Sequence, residues 1–80
     1  MKTPRDCDGL ELARALRRLD YEVTRQTGSH LQLTTQRGGE HHITIPNHCP
    51  LKVGLLQALL KEVAVHHRLA VEQLIRDLDL

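Results

Sequence analysis

Two glycine-bearing turns divide the middle of this chain, and they constrain its fold more than any other feature of its 80 residues. The first is Thr27-Gly28-Ser29 and the second is Gln36-Arg37-Gly38-Gly39-Glu40. They separate three short runs that alternate in polarity: Tyr21 to Gln26, His30 to Thr35, and His41 to Ile45, the last ended by Pro46. Alternating runs joined by tight turns predict a three-stranded antiparallel meander.

Alternation also predicts the faces, because successive strand side chains point to opposite sides of a sheet. Leu31, Leu33, Ile43 and Ile45 share one side, which Tyr21 and Val23 can join. Opposite them lie His30, Gln32, Thr34, His42 and Thr44. One face is therefore aliphatic and ready to be covered by helices. The other is polar and carries two imidazoles.

The flanking sequence supplies the helices. Leu12, Ala13, Leu16 and Leu19 recur at helical spacing, predicting a first helix over about Gly9–Leu19. Asp8 and Glu11 have the spacing of a capping box at its start. Residues 1–7 read as a loose lead-in. After a loop at Asn47-His48-Cys49-Pro50, the stripe Val53, Leu56, Leu59, Leu60 and Val63 predicts a helix over about Lys52–Val65. A last amphipathic segment, Ala70 to Leu78, unites Val71, Leu74, Ile75 and Leu78. Between these two, His66-His67-Arg68-Leu69-Ala70 carries neither a stopping Gly nor a starting Ser, Thr, Asp or Asn, so a continuous or kinked helix stays open. The prediction is one α+β domain over residues 1–80, helix, three strands, then one or two helices.

Composition narrows the function. The chain has no Phe or Trp and one Tyr, Tyr21. That argues against base stacking on aromatic rings as its main task, and it excludes an RRM signature. A net charge of +1 excludes a bulk polybasic nucleic-acid binder. Contacts to phosphate must then be local. Two cysteines, Cys7 and Cys49, suggest no disulfide framework. Nothing resembles a signal peptide or a membrane span, and the expected location is cytoplasmic.

Gly28-Ser29-His30 is the leading candidate site. A histidine directly after a tight turn, on the solvated face of a strand, is placed to meet a substrate. Imidazole is the usual acid–base group near neutral pH, typically contributing about 10²–10⁴ in rate. RNA carries its own nucleophile, the 2′-hydroxyl, so a ribonuclease needs only a base, a proton donor and positive charge near phosphate. His30 fits the base. Ser29 and the turn N–H groups can hold a phosphate oxygen. Arg25, Arg37 and Lys52 are the candidates for charge, and His42 for a second acid or phosphate contact. His41, His42, His48 and Cys49 are metal-ligand types, but His41 and His42 point to opposite faces and no ligand-pair spacing is present. No metal or other cofactor is expected.

In four stretches the chain resembles the HicA toxins of type II toxin–antitoxin pairs, the YcfA-like family. They are Leu19-Asp20-Tyr21-Glu22-Val23, Arg25-Gln26-Thr27-Gly28-Ser29-His30, Ile43-Thr44-Ile45-Pro46-Asn47-His48 and Leu51-Lys52-Val53-Gly54-Leu55. The likeness spans about residues 8–78. It departs at Leu55, where many members have Thr, and at Arg68 and Ala70, where a Gly and a Ser are common. The resemblance implies a double-stranded-RNA-binding-domain-like α-β-β-β-α fold with helices on one sheet face and a short extra C-terminal helix. It implies an mRNA interferase whose catalytic residue is His30; Gly28, Ser29, Arg25, Lys52 and His42, read from the residues themselves, are the expected contacts to the RNA. It also implies a HicB-like antitoxin partner that blocks the site. Two other readings stay open: a non-catalytic RNA-binding module on this fold, and a degenerate toxin that acts only through protein contacts.

Overall fold

A computed structural model describes residues 7–48 and 51–80. In chain order it shows α1 (Gly9–Leu16), a 3-10 turn (Arg17–Leu19), β1 (Glu22–Thr27), β2 (His30–Thr35), β3 (His41–Pro46), α2 (Val53–His67) and α3 (Val71–Asp77). The strands form one antiparallel sheet in the order β1-β2-β3. This is the expected helix–three-strand–helix order with a short extra C-terminal helix. Among the described residues, no helix is long and apolar enough to cross a membrane.

The aliphatic face forms as alternation predicts. Leu31, Leu33, Ile43 and Ile45 are buried against Leu12 and Leu16 of α1 and Leu56, Leu60 and Val63 of α2, with Leu74, Ile75 and Leu78 closing the C-terminal end. Burial of a Leu, Ile or Val side chain stabilises the fold by about 1.5–3 kcal/mol. Cys7 is also buried in this core, so the expected loose lead-in ends before it; the rest of that lead-in, and Cys49, lie outside the described residues. Burial raises the Cys7 thiol pKa, with Glu11 and Asp8 adding to the shift.

Two local expectations are corrected. Asp8 is extended at the start of α1 but makes no side-chain capping bond. The Gly9 N–H instead donates to the His48 carbonyl at 3.0 Å, so the strap after β3 takes over part of the cap's task. Val23 lies opposite Leu33, on the aliphatic side, yet it is 45% exposed because β1 is an edge that the helices do not cover. Tyr21, just before the strand, is fully buried.

The ambiguous C-terminal segment resolves into two helices. Arg68 adopts φ 57°, its N–H donating to Val65 O at 3.2 Å, while the Leu69 N–H donates to Ala64 O at 2.9 Å. This pair of bonds is a Schellman motif, with Leu69 packed back on the core. The same geometry ends α1's 3-10 extension at Asp20 (φ 64°), with Tyr21 as the apolar residue that follows, and ends α3 at Asp79 (φ 57°), followed by Leu80.

Candidate active site

The Gly28-Ser29 loop joins β1 to β2 with only two residues, Thr27 pairing with His30 across it. Gly28 has φ 56°, the positive value that a Gly-first hairpin loop requires. His30 therefore opens β2 with its side chain exposed on the polar face. Among the described residues no side-chain hydrogen bond restrains the ring. A second tether holds the turn, because the Asn47 N–H donates to the Ser29 carbonyl.

A β-bulge in β1 decides what His30 faces. Val23 pairs with Leu33, but Arg25, not Thr24, is the next paired residue, opposite Gln32. Strict alternation from Val23 would have sent Arg25 to the aliphatic side. With two residues opposing one, Thr24 and Arg25 both come onto the polar side. The Thr24 hydroxyl reaches the Gln32 carbonyl at 3.3 Å and Thr34 Oγ1 at 3.0 Å. Arg25 becomes the diagonal cross-strand neighbour of His30, a separation that a long side chain spans.

Arg25, Thr27, His30, Gln32 and Thr44 together line an open cavity of about 290 Å³. It holds an unrestrained imidazole, a guanidinium, an amide and two hydroxyls, with the Gly28-Ser29 turn at its end. This set can accept a proton, neutralise an anion and hydrogen-bond a polar ligand. A larger hollow of about 530 Å³, lined by Asp20, Glu22, Thr24, Thr34, Gln36 and Arg37, carries two carboxylates, which suits phosphate poorly.

The other candidates stand apart from this cavity. His42 pairs with Thr34, four residues along β2 from His30. At about 3.3 Å per residue that is roughly 13 Å. Its Nδ1 is 2.8 Å from Thr34 Oγ1, and its Nε2 is 3.6 Å from Glu40 Oε2. Lys52 precedes α2 and does not line the cavity. Arg37 is committed elsewhere, pairing with Asp20 at 3.7 Å and donating to the Arg18 carbonyl at 3.4 Å. Among the described residues, no group of three or more His, Cys, Asp or Glu side chains is placed to hold a metal ion.

The sequence reading missed a second polar cluster, on the helix side of the sheet. The Tyr21 hydroxyl is hydrogen-bonded to His41 Nδ1 at 2.6 Å and to His67 Nε2 at 3.2 Å. His41 stacks on His66 with ring centroids 4.4 Å apart, and His66 Nε2 donates to the carbonyls of Arg37 and Gly39. Burial pushes the Tyr21 pKa up to about 12, with Glu62 adding to it. Burial lowers both His41 and His67, and His66 lowers each further; Glu62 opposes the shift at His41, while Arg37 reinforces it at His67. The lowered values favour the neutral form of His41 and His67. No local signal announces them, since Tyr21 and His67 lie 46 residues apart.

Residues 9–65 match the model of a family described as the HicA toxin of bacterial toxin–antitoxin systems. Searches of curated proteins and of solved structures gave no match.

Proposed function

The chain belongs to the HicA toxin family, the toxin half of a toxin–antitoxin pair, and from that premise we propose that it is a metal-independent endoribonuclease acting on mRNA through His30. The observation that carries this reading is the unrestrained His30 ring sharing an open cavity with Arg25. Neutral His30 takes the proton of a ribose 2′-hydroxyl. The 2′ oxygen attacks the adjacent phosphorus, and the bond from phosphorus to the 5′ oxygen breaks. The products are a 2′,3′-cyclic phosphate and a 5′-hydroxyl. Arg25, the Ser29 hydroxyl and the Gly28-Ser29 N–H groups stabilise the charge that builds on the non-bridging oxygens. The leaving oxygen takes its proton from water in the open cavity, since His42 is too far along the strand to serve the same phosphate. His42 and Lys52 act instead as outlying contacts to the RNA.

The partner in this reading is a HicB-like antitoxin that covers the His30 cavity, and the location is cytoplasmic, where mRNA is translated. Induced expression in a bacterial host tests the whole reading. The wild-type chain arrests growth with loss of mRNA, His30→Ala does neither, and co-expressed antitoxin relieves the arrest. A His30→Ala chain that arrests growth as the wild type does removes the catalytic assignment.

A further inference from the structure

The turn that carries His30 is held from outside the cavity. Pro46, the last residue of β3, is the cross-strand partner of His30. The next residue, Asn47, donates its N–H to the Ser29 carbonyl, on the peptide that leads into His30. The strap Pro46-Asn47-His48 thus grips the catalytic turn from one side. From the other side it is seated on the start of α1, where the Gly9 N–H donates to the His48 carbonyl at 3.0 Å.

Gly9 is the point of closest approach. A Cβ built on it would overlap the Pro46 carbonyl oxygen and come within 3.1 Å of Asn47 Cα. Both obstacles are backbone, so no side chain can swing aside. Gly9 is not among the positive-φ residues, so room and not backbone conformation is what demands glycine here. We infer that Gly9 is a positioning residue for His30, acting through the Pro46-Asn47-His48 strap. The inference rests on the proposed role of His30. Any side chain at position 9 must lift the strap, and the strap carries Ser29 and His30 with it.

The test compares purified wild-type, Gly9→Ala, Asn47→Pro, Gly54→Ala and His30→Ala proteins on a mixed-sequence RNA oligonucleotide, well below each melting temperature. Gly54 also lies in the first turn of a helix, but a Cβ there meets nothing within 4 Å. A displacement of about 1 Å at a reacting group costs on the order of 100-fold in rate. Gly9→Ala therefore lowers kcat by about that factor with KM within threefold of wild type, and Gly54→Ala changes neither. A merely structural role would lower the melting temperature and leave the kcat of the folded fraction intact. Asn47→Pro deletes the N–H that holds Ser29 and leaves Gly9 itself unchanged, so it answers the question if Gly9→Ala does not fold. It too loses kcat. Wild-type kcat in a folded Gly9→Ala, or in Asn47→Pro, beside an inactive His30→Ala, overturns the positioning role alone. Wild-type turnover by His30→Ala overturns the catalytic reading beneath it.

Discussion

Tyr21→Phe removes one oxygen atom from the centre of the histidine cluster and leaves the packing volume almost unchanged. In the wild type the buried hydroxyl bonds His41 Nδ1 at 2.6 Å and His67 Nε2 at 3.2 Å. A phenol has one proton, so it donates to one ring nitrogen and accepts from the other, and both imidazoles stay neutral. Phe leaves both nitrogens without that partner. An abandoned buried donor or acceptor costs about 1–3 kcal/mol. Both rings are half-buried, so water recovers part of this, and about 1–2 kcal/mol is expected. At 4–8 °C per kcal/mol for a domain of this size, the melting temperature falls by roughly 4–16 °C. The assay is thermal unfolding at pH 8, completed by a double-mutant cycle with His41→Ala, which should show a coupling of about 1 kcal/mol. A Phe variant that melts with the wild type, or a coupling of zero, refutes the claim that the hydroxyl ties the β2–β3 turn to the end of α2.

Three further outcomes follow from the same geometry. His41 and His67 have native pKa values below their unfolded value of about 6.5. The unfolded chain then binds protons more readily, so their contribution is complete above about pH 6.5 and is lost as the pH falls through the depressed native values; melting temperatures measured from pH 8 to pH 5 should decline below neutrality, and a flat profile contradicts this. Arg68→Gly relieves a left-handed residue costing about 1–2 kcal/mol, less the roughly 0.4–1 kcal/mol by which glycine frees the unfolded chain. A melting temperature higher by a few degrees is expected, and a lower one counts against the Schellman cap. Arg25→Ala loses a charge-assisted contact of about 1.5–3 kcal/mol, so kcat/KM falls by roughly tenfold to a hundredfold. The salt slope of binding to single-stranded RNA also falls, by about 0.7. An unchanged slope takes Arg25 off the phosphate.

The parts of this fold legible in the sequence are those governed by period. Leu31, Leu33, Ile43 and Ile45 faced inward and His30 outward because alternation leaves no other choice within a paired strand. Three features escaped because their causes are not local. The bulge at Thr24 adds one residue to a run that still looks regular, and only pairing with β2 reveals that Arg25 has changed sides. The break between the last two helices escaped because Arg68 does the work usually given to glycine, as Asp20 and Asp79 do at the other two helix ends, which periodicity had already placed. The sequence signal there is the apolar residue that follows each one: Tyr21, Leu69 and Leu80 pack back on the helix and offset the strain. The Tyr21–His41–His67 network joins the first strand region, the third strand and the second helix, so no window of sequence contains it. Gly28-Ser29-His30 was legible as a candidate site for the opposite reason, since turn, exposure and chemistry all fall within three residues. Gln32 and Thr44 were placed on the correct face, but their membership of the cavity needed the strand register.

The two imidazoles of the polar face stand in different surroundings. His30 keeps a free ring beside a cation. His42 has both nitrogens engaged, by Thr34 and Glu40, which suits a fixed contact better than proton transfer.

End-group analysis of RNA cut by the purified chain in the presence of EDTA is the most direct test. A reaction driven by His30 yields 2′,3′-cyclic phosphate and 5′-hydroxyl ends in undiminished amount, and no product forms with His30→Ala. Abolition by the chelator, 5′-phosphate ends, or equal cutting by the alanine variant contradicts a reaction driven by the His30 imidazole.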